Sequence, residues 1–402
     1  LTFIATFMSV RSYHAEQVAK QKRQEAESLL GFMVGEFADK LRSVKRMDLL
    51  DGISNKALEY FSNQDEEAAS LFDFSDKQAQ FNNRFQYAQT LEAMGEVAYS
   101  RGKTDEAFTA FENARVRLES LLKIQPNNLD LLMLAGANAF WLGQLHYDNS
   151  DYNATEPWFK RYQEYSEQMY TLAPSDFNSI MELSYSYNSL GSLYLKQFDY
   201  TQAKQSFTQS LELKNRALEL KPNNKNLLRD KADTISWLAS TEEHLGNFHE
   251  ALSMYDSASN ELESMLESFP NDASILSDVS NTYIQQSYLL GYLPDKTLAL
   301  FKAQFASEKA HQALLQDPRN KKFQMSYYRS LAFHLLLNGA EDINVESEII
   351  NFISARKLND IESINIMINI ISYLIKINKR NFTPLYPTVF YKFNSYVSFK
   401  KQ

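Results

Sequence analysis

Five of the nine prolines stand at one spacing: Pro126, Pro174, Pro222, Pro270 and Pro318 are each 48 residues apart. A fixed offset of that size marks a chain built from one supersecondary unit copied along its length. Behind each proline follows a capping pair: Asn127-Asn128, Ser175-Asp176, Asn223-Asn224, Asn271-Asp272 and Arg319-Asn320. Proline closes one helix, and the Asn or Asp after it can accept hydrogen bonds from the first amides of the next.

The same offset selects packing positions. Met94, Leu142, Leu190 and Leu238 align, and Gln286 breaks their series. The next residue is small every time: Gly95, Gly143, Gly191, Ala239, Ser287. Further along come Ala107, Thr155, Ala203, Ala251 and Ala299, then Phe111, Phe159, Phe207, Tyr255 and Ala303. Small residues on facing helices let two backbones approach, and an aromatic ring four residues on fills the space beside them.

Composition agrees with helices throughout. Glycine (11) and proline (9) are scarce in 402 residues, too few for the turns of an α/β enzyme of this length. The absence of cysteine removes disulfides, thiolate metal sites and cysteine nucleophiles. Charge is uneven. Residues 11–47 carry net +3 and residues 351–402 net +6, which leaves −18 for residues 48–350 of a chain whose total is −9. So acidic a middle repels a phosphate backbone, and no nucleic-acid partner is expected.

Large-small in one helix and Ala-x-x-x-Phe in the next resembles the tetratricopeptide family over residues 84–340, as five copies and a degenerate sixth. The period is longer than that family's usual 34 or so residues, which predicts helices of roughly 20 residues. The resemblance implies an all-α, right-handed solenoid of stacked antiparallel hairpins. The stretch 26–61, "AESLLGFMVGEFADKLRSVKRMDLLDGISNKALEYF", is also similar to a linker between a membrane helix and such an array in bacterial signalling proteins. That likeness implies a sensor or scaffold half whose effector, such as a kinase, lies outside this sequence.

Gly102-Lys103-Thr104 looks like the tail of a phosphate-binding loop. That motif needs a glycine five residues earlier, where Val97 stands inside a helical pattern. At the 48-residue offset Gly102 aligns with Ser150, Phe198, Gly246 and Pro294, so it reads as the bend between two helices of a hairpin.

The ends differ from the array. Residues 1–10 are mainly apolar but half the length a bilayer requires. They could be the remnant of a membrane-spanning helix, a helix packed on the array, or a start at a non-standard codon. Residues 11–63 read as linker helices, with Leu30, Val34, Phe37, Leu41 and Val44 forming a short seam that suits a homodimer or docking on the first hairpin. Residues 341–380 read as capping helices. Ile364, Met367, Ile368, Ile371, Leu374 and Ile375 share one face, too short to cross a membrane. Residues 381–402 form a tail. Arg11, Lys20, Lys22 and Arg23 favour a cytoplasmic array by the positive-inside rule, whereas the family resemblance favours the extracytoplasmic side.

Nothing pairs a nucleophile with a base, and His244 and His249 point about 140° apart on a helix, a poor metal pair. Catalysis, cofactor and metal are not expected. The family resemblance instead implies a concave groove lined by first helices, at Glu92, Glu96, Tyr99, Phe140, Gln144, Tyr147, Tyr185, Asn188, Ser192, Asp233, Ser240, Glu243, Ile284 and Tyr288. Tyrosines among carboxylates suit a protein or extended peptide with basic and apolar residues. The competing expectation is an architectural spacer or self-assembly unit with no peptide ligand.

Overall fold

The computed structural model describes residues 49–59, 77–292, 296–318 and 320–337, with scattered helical positions between 14 and 40. All regular structure among them is α-helix. First helices are α1 (Lys77–Ser100), α3 (Leu129–Asp148), α5 (Phe177–Lys196), α7 (Lys225–His244), α9 (Ala273–Tyr292) and α11 (Lys321–Leu337). Second helices are α2 (Thr104–Leu122), α4 (Tyr152–Leu172), α6 (Tyr200–Leu220), α8 (Phe248–Ser268) and α10 (Lys296–Gln316).

The chain divides into two compact units, Leu1–Gln197 and Phe198–Gln402. In the first, α1 packs antiparallel on α2 and α3 on α4, and α5 lies against α4. In the second, α6 lies against α7, α7 pairs with α8, α9 with α10, and α11 with α10. The expected all-α architecture of stacked helical hairpins is what the structure has.

Local chemistry sets these boundaries. Asn128, Asp176 and Asn224 accept from the amides of Leu131, Ser179 and Leu227 at 3.0, 2.8 and 3.1 Å. Asp272 takes the amide of Ile275 at 3.1 Å, and Asn320 that of Phe323 at 3.4 Å. Each cap satisfies an amide that has no partner inside its own helix.

The bends also repeat. Gly102, Ser150, Phe198 and Gly246 all have left-handed backbone, with φ of 73°, 60°, 63° and 83°. At the first, the amide of Gly102 donates to Tyr99 O at 2.9 Å and that of Lys103 to Ala98 O at 2.9 Å. This pair of bonds closes a helix over its last carbonyls when the turning residue is left-handed. Gly102 is thus a turn residue, as its repeat position predicts.

The packing columns are core. Ala107, Phe111, Thr155, Phe159, Ala203, Phe207, Ala251, Tyr255, Ala299 and Ala303 are all buried. A buried aromatic side chain contributes about 1.5–3 kcal/mol. Gln286, the break in the leucine column, is buried too, and its Nε2 donates to Asp256 Oδ1 and Ser259 Oγ at 3.0 and 3.1 Å. Its donor is thus satisfied, while its buried Oε1 has no hydrogen-bond partner, so the break in the column is only half compensated.

Before the array, Leu50 and Ile53 pack with Ala38 on Ala93 and Val97 of α1. Asp51 pairs with Arg101 at 2.8 Å. The seam residues 30, 34, 37, 41 and 44, the run 1–10, the expected caps 341–380 and the tail 381–402 lie outside the described residues. Among the described residues no helix is long and apolar enough to cross a membrane.

Candidate partner-binding face

Within each unit successive first helices touch, which brings their side chains onto one face. In the first unit several expected groove residues serve packing instead. Glu92 is only 2% exposed, and its carboxylate accepts from Asn138 Nδ2, which also donates to Phe111 O at 2.9 Å. Glu92 therefore belongs to the seam between α1 and α3, and a partner cannot reach it. Phe140 lies 5.9 Å from both Phe159 and Tyr162 and 5.2 Å from Trp141, centroid to centroid. It is spent on the contact between α3 and α4, inside its own hairpin.

Tyr99, Gln144 and Tyr147 are partly exposed but tied down. Tyr99 Oη donates to Asp148 Oδ2 at 2.6 Å, and Gln144 Nε2 to Asp148 Oδ1 at 2.7 Å. Burial and then Asp148 raise the Tyr99 phenol above its usual range. Burial, with help from Tyr152 and Asp148, pushes the Tyr147 phenol up to about 12. Both rings stay neutral donors. Glu96, Asn188 and Ser192 are partly exposed, and Tyr185 is exposed.

In the second unit the face is more open. Asp233 and Trp237 are adjacent on α7, with Trp237 Nε1 donating to Asp233 Oδ2 at 3.2 Å. Trp237 is 40% exposed although its ring stacks on buried Phe207 at 6.2 Å. Solvent reaches Asp233, yet surrounding protein crowds it. That crowding raises its carboxyl despite the nearby Lys214 ammonium. Tyr288 on α9 is 38% exposed, with its ring 6.0 Å from Phe333 of α11. Ser240 and Glu243 are partly exposed, whereas Ile284 is buried and drops out of the set. Burial raises the Glu243 carboxyl.

Trp237 was not among the residues expected from sequence. It sits four residues after Asp233 and three before Ser240, so helical spacing alone places it on their face. Asn281 and Arg329 continue the column of Tyr185 and Asp233 at 48-residue steps. Arg329 Nη2 donates to Asn281 Oδ1 at 2.6 Å. Among the described residues no group of three His, Asp or Glu side chains could hold a metal ion.

Residues 184–216 match the profile of the tetratricopeptide repeat. That stretch contains Leu190-Gly191 and Ala203-x-x-x-Phe207, the two columns on which the register rests. That stretch is a tetratricopeptide-type repeat. The chain is similar in structure to RapI in its apo form, with a TM-score of 0.51 at 13% identity over 78% of this chain and 99% of RapI. It is also similar to a signal transduction ATPase with numerous domains from Pyrococcus horikoshii that has a tetratricopeptide repeat sensor. There the TM-score is 0.52 at 11% identity, over 87% of this chain and 47% of the other. At such identities the shared property is the fold. A comparison with curated proteins finds no match.

Proposed function

We propose that this tetratricopeptide-type array is a non-catalytic protein-interaction module, the sensor or scaffold part of a bacterial signalling protein. Its partner is an extended segment carrying basic and apolar residues, received on the first-helix face. The supporting observation is the exposure of Trp237 beside Asp233 on α7 and of Tyr288 on α9, the next first helix. An aromatic face takes the aliphatic stem of Lys or Arg and attracts its charged head, and the carboxylate adds steering. The net −18 of residues 48–350 works in the same direction. The P. horikoshii protein, whose tetratricopeptide repeats serve as the sensor of an ATPase, gives the arrangement a precedent. In this reading the protein is membrane-associated through its apolar first residues, with the array on the extracytoplasmic side.

The test is to pan a displayed library of random 12-residue peptides on the full chain. Enriched peptides should carry Lys or Arg flanked by apolar residues, and their affinity should fall as salt rises. Trp237→Ala and Asp233→Lys should each weaken them about tenfold or more. Enrichment of nothing, or peptides indifferent to both variants and to salt, would leave the spacer role as the better account.

A further inference from the structure

The first-helix face of the second unit carries, on α11, a cation that has no carboxylate. Other cations of that unit are held: Arg229 Nε reaches Asp278 at 3.0 Å, Lys231 reaches Glu261 at 2.7 Å and Lys225 reaches Asp272 at 2.6 Å. Arg329 is exposed, and its Nη2 donates to Asn281 Oδ1 at 2.6 Å. Among the described residues no acid joins it there, although residues 48–350 carry net −18. Surrounding protein lowers its guanidinium from the ordinary value, and no neighbouring carboxylate opposes that shift. Asn281 on α9 is only half committed. Its Oδ1 also accepts from Ser326 Oγ at 3.3 Å, which fixes the amide and leaves Nδ2 as a donor without a partner among the described residues. Asn281 stands between Asp233 and Arg329 in one column at 48-residue steps, and α9 touches both α7 and α11.

We propose that Arg329 receives a side-chain carboxylate of the same extended segment whose basic residue sits on Asp233 and Trp237, an inference that rests on the function proposed above. A guanidinium has several N–H donors in a planar fork, and one bond to Asn281 leaves others for a carboxylate. A crowded cation without an anion carries an uncompensated desolvation cost, which an arriving carboxylate offsets. The Asn281 amide between the two charges suits a main-chain carbonyl, so the segment stays extended across α9. Spacing follows from the fold. Packed helices stand about 8–10 Å apart, which makes α7 to α11 roughly 16–20 Å across α9. At about 3.3 Å per residue, extended chain covers that distance in about five or six residues. The partner therefore carries an acidic residue about five or six places from its Lys or Arg. A wholly basic segment would set a cation against Arg329, so the face discriminates against it.

The probe is an array of synthetic thirteen-residue peptides, acetylated and amidated, with lysine at the centre, apolar residues elsewhere and glutamate moved through each other place in turn. The full chain should bind most tightly where glutamate stands about five or six places from lysine, about fivefold or more above the glutamate-free peptide. Arg329→Gln should remove that gain and leave binding of the glutamate-free peptide unchanged, which shows that the rest of the face is intact. Arg329→Glu should transfer the preference to peptides with a second lysine in place of the glutamate. Binding that needs the lysine and Trp237 but ignores where glutamate stands would overturn this inference and leave the proposed function standing. A gain that survives Arg329→Gln, or one that appears only when the terminal amide is replaced by a free acid, would overturn it too. Binding of no peptide at all would sink the reading on which the inference rests, and the inference with it.

Discussion

A Cβ placed on Gly143 would fall 2.6 Å from Cδ1 of Phe159 and 3.0 Å from Cβ of Trp158. Phe159 is itself buried and cannot swing away. The small column is therefore a contact requirement: α3 and α4 are as close as a glycine allows. Gly143→Leu should cost about 1–3 kcal/mol or more through overpacking. Gly102→Ala should cost about 1 kcal/mol, because nothing lies within 4 Å of its Cβ and only the left-handed backbone objects. Thermal melts of the two variants check this, and equal shifts would contradict the assigned register.

Ser150 and Phe198 hold left-handed backbone without being glycine, a conformation that costs an L-residue about 1–2 kcal/mol. Phe198 is also largely exposed, so its ring gives little back. Phe198→Gly should raise stability by roughly 0.5–1 kcal/mol after the extra chain entropy of glycine is subtracted. Chemical denaturation of the single variant measures it, and a loss of stability would show that the Phe198 side chain is needed.

Lys214 is buried, and its Nζ donates to Asp230 O at 3.1 Å and Thr234 Oγ1 at 2.5 Å. The register gives Leu118 and Leu262 at the same place in other second helices. Burial lowers the Lys214 ammonium to about 8 from an ordinary 10.5, with Asp230 and Asp233 opposing. Between those pH values the unfolded chain holds a proton that the folded chain has released, so stability climbs as pH rises through the window. Below it the penalty of a buried charge is fully present. Lys214→Leu should add about 1–3 kcal/mol at pH 7 and flatten the climb from pH 8 to about 10.5. Urea melts at stepped pH decide it, and parallel slopes for variant and parent would refute the assignment.

Magnesium ATP should show no saturable binding by titration calorimetry. The amides of Gly102 and Lys103, which a phosphate loop would turn toward its ligand, are already donated to the carbonyls of Tyr99 and Ala98. A micromolar dissociation constant would force a different reading of this bend.

Local rules were the legible part of the sequence. Caps, bends and the large-small columns each depend on residues within one turn or on one facing helix, and the 48-residue offset exposes them directly. The binding face was less legible. Helical spacing gives the direction of Glu92 but not its depth, which depends on Asn138 reaching across from α3. Spacing is equally silent on Phe140, which packs on Phe159 and Tyr162 of its own hairpin, and on Ile284, which is buried with Ala232 and Leu262 of the preceding one. Trp237, by contrast, is legible from spacing alone, four residues after Asp233 and three before Ser240. Lys214 gave no warning, because one lysine in an acidic helical chain reads as a solvated side chain.

Within each unit the helices make their main contacts with their sequence neighbours, and the first helices also touch the next first helix. Removing Leu129–Asp176, one whole period, would bring α5 to the end of α2 in place of α3. Ser179 and Ile180, both buried, would then replace Leu131 and Leu132 in the register. Chains of this design can therefore change length by unequal crossing-over of their genes at little structural cost, provided the crossover keeps phase. An insertion out of phase would set the glycine of one repeat against a side chain too large for it.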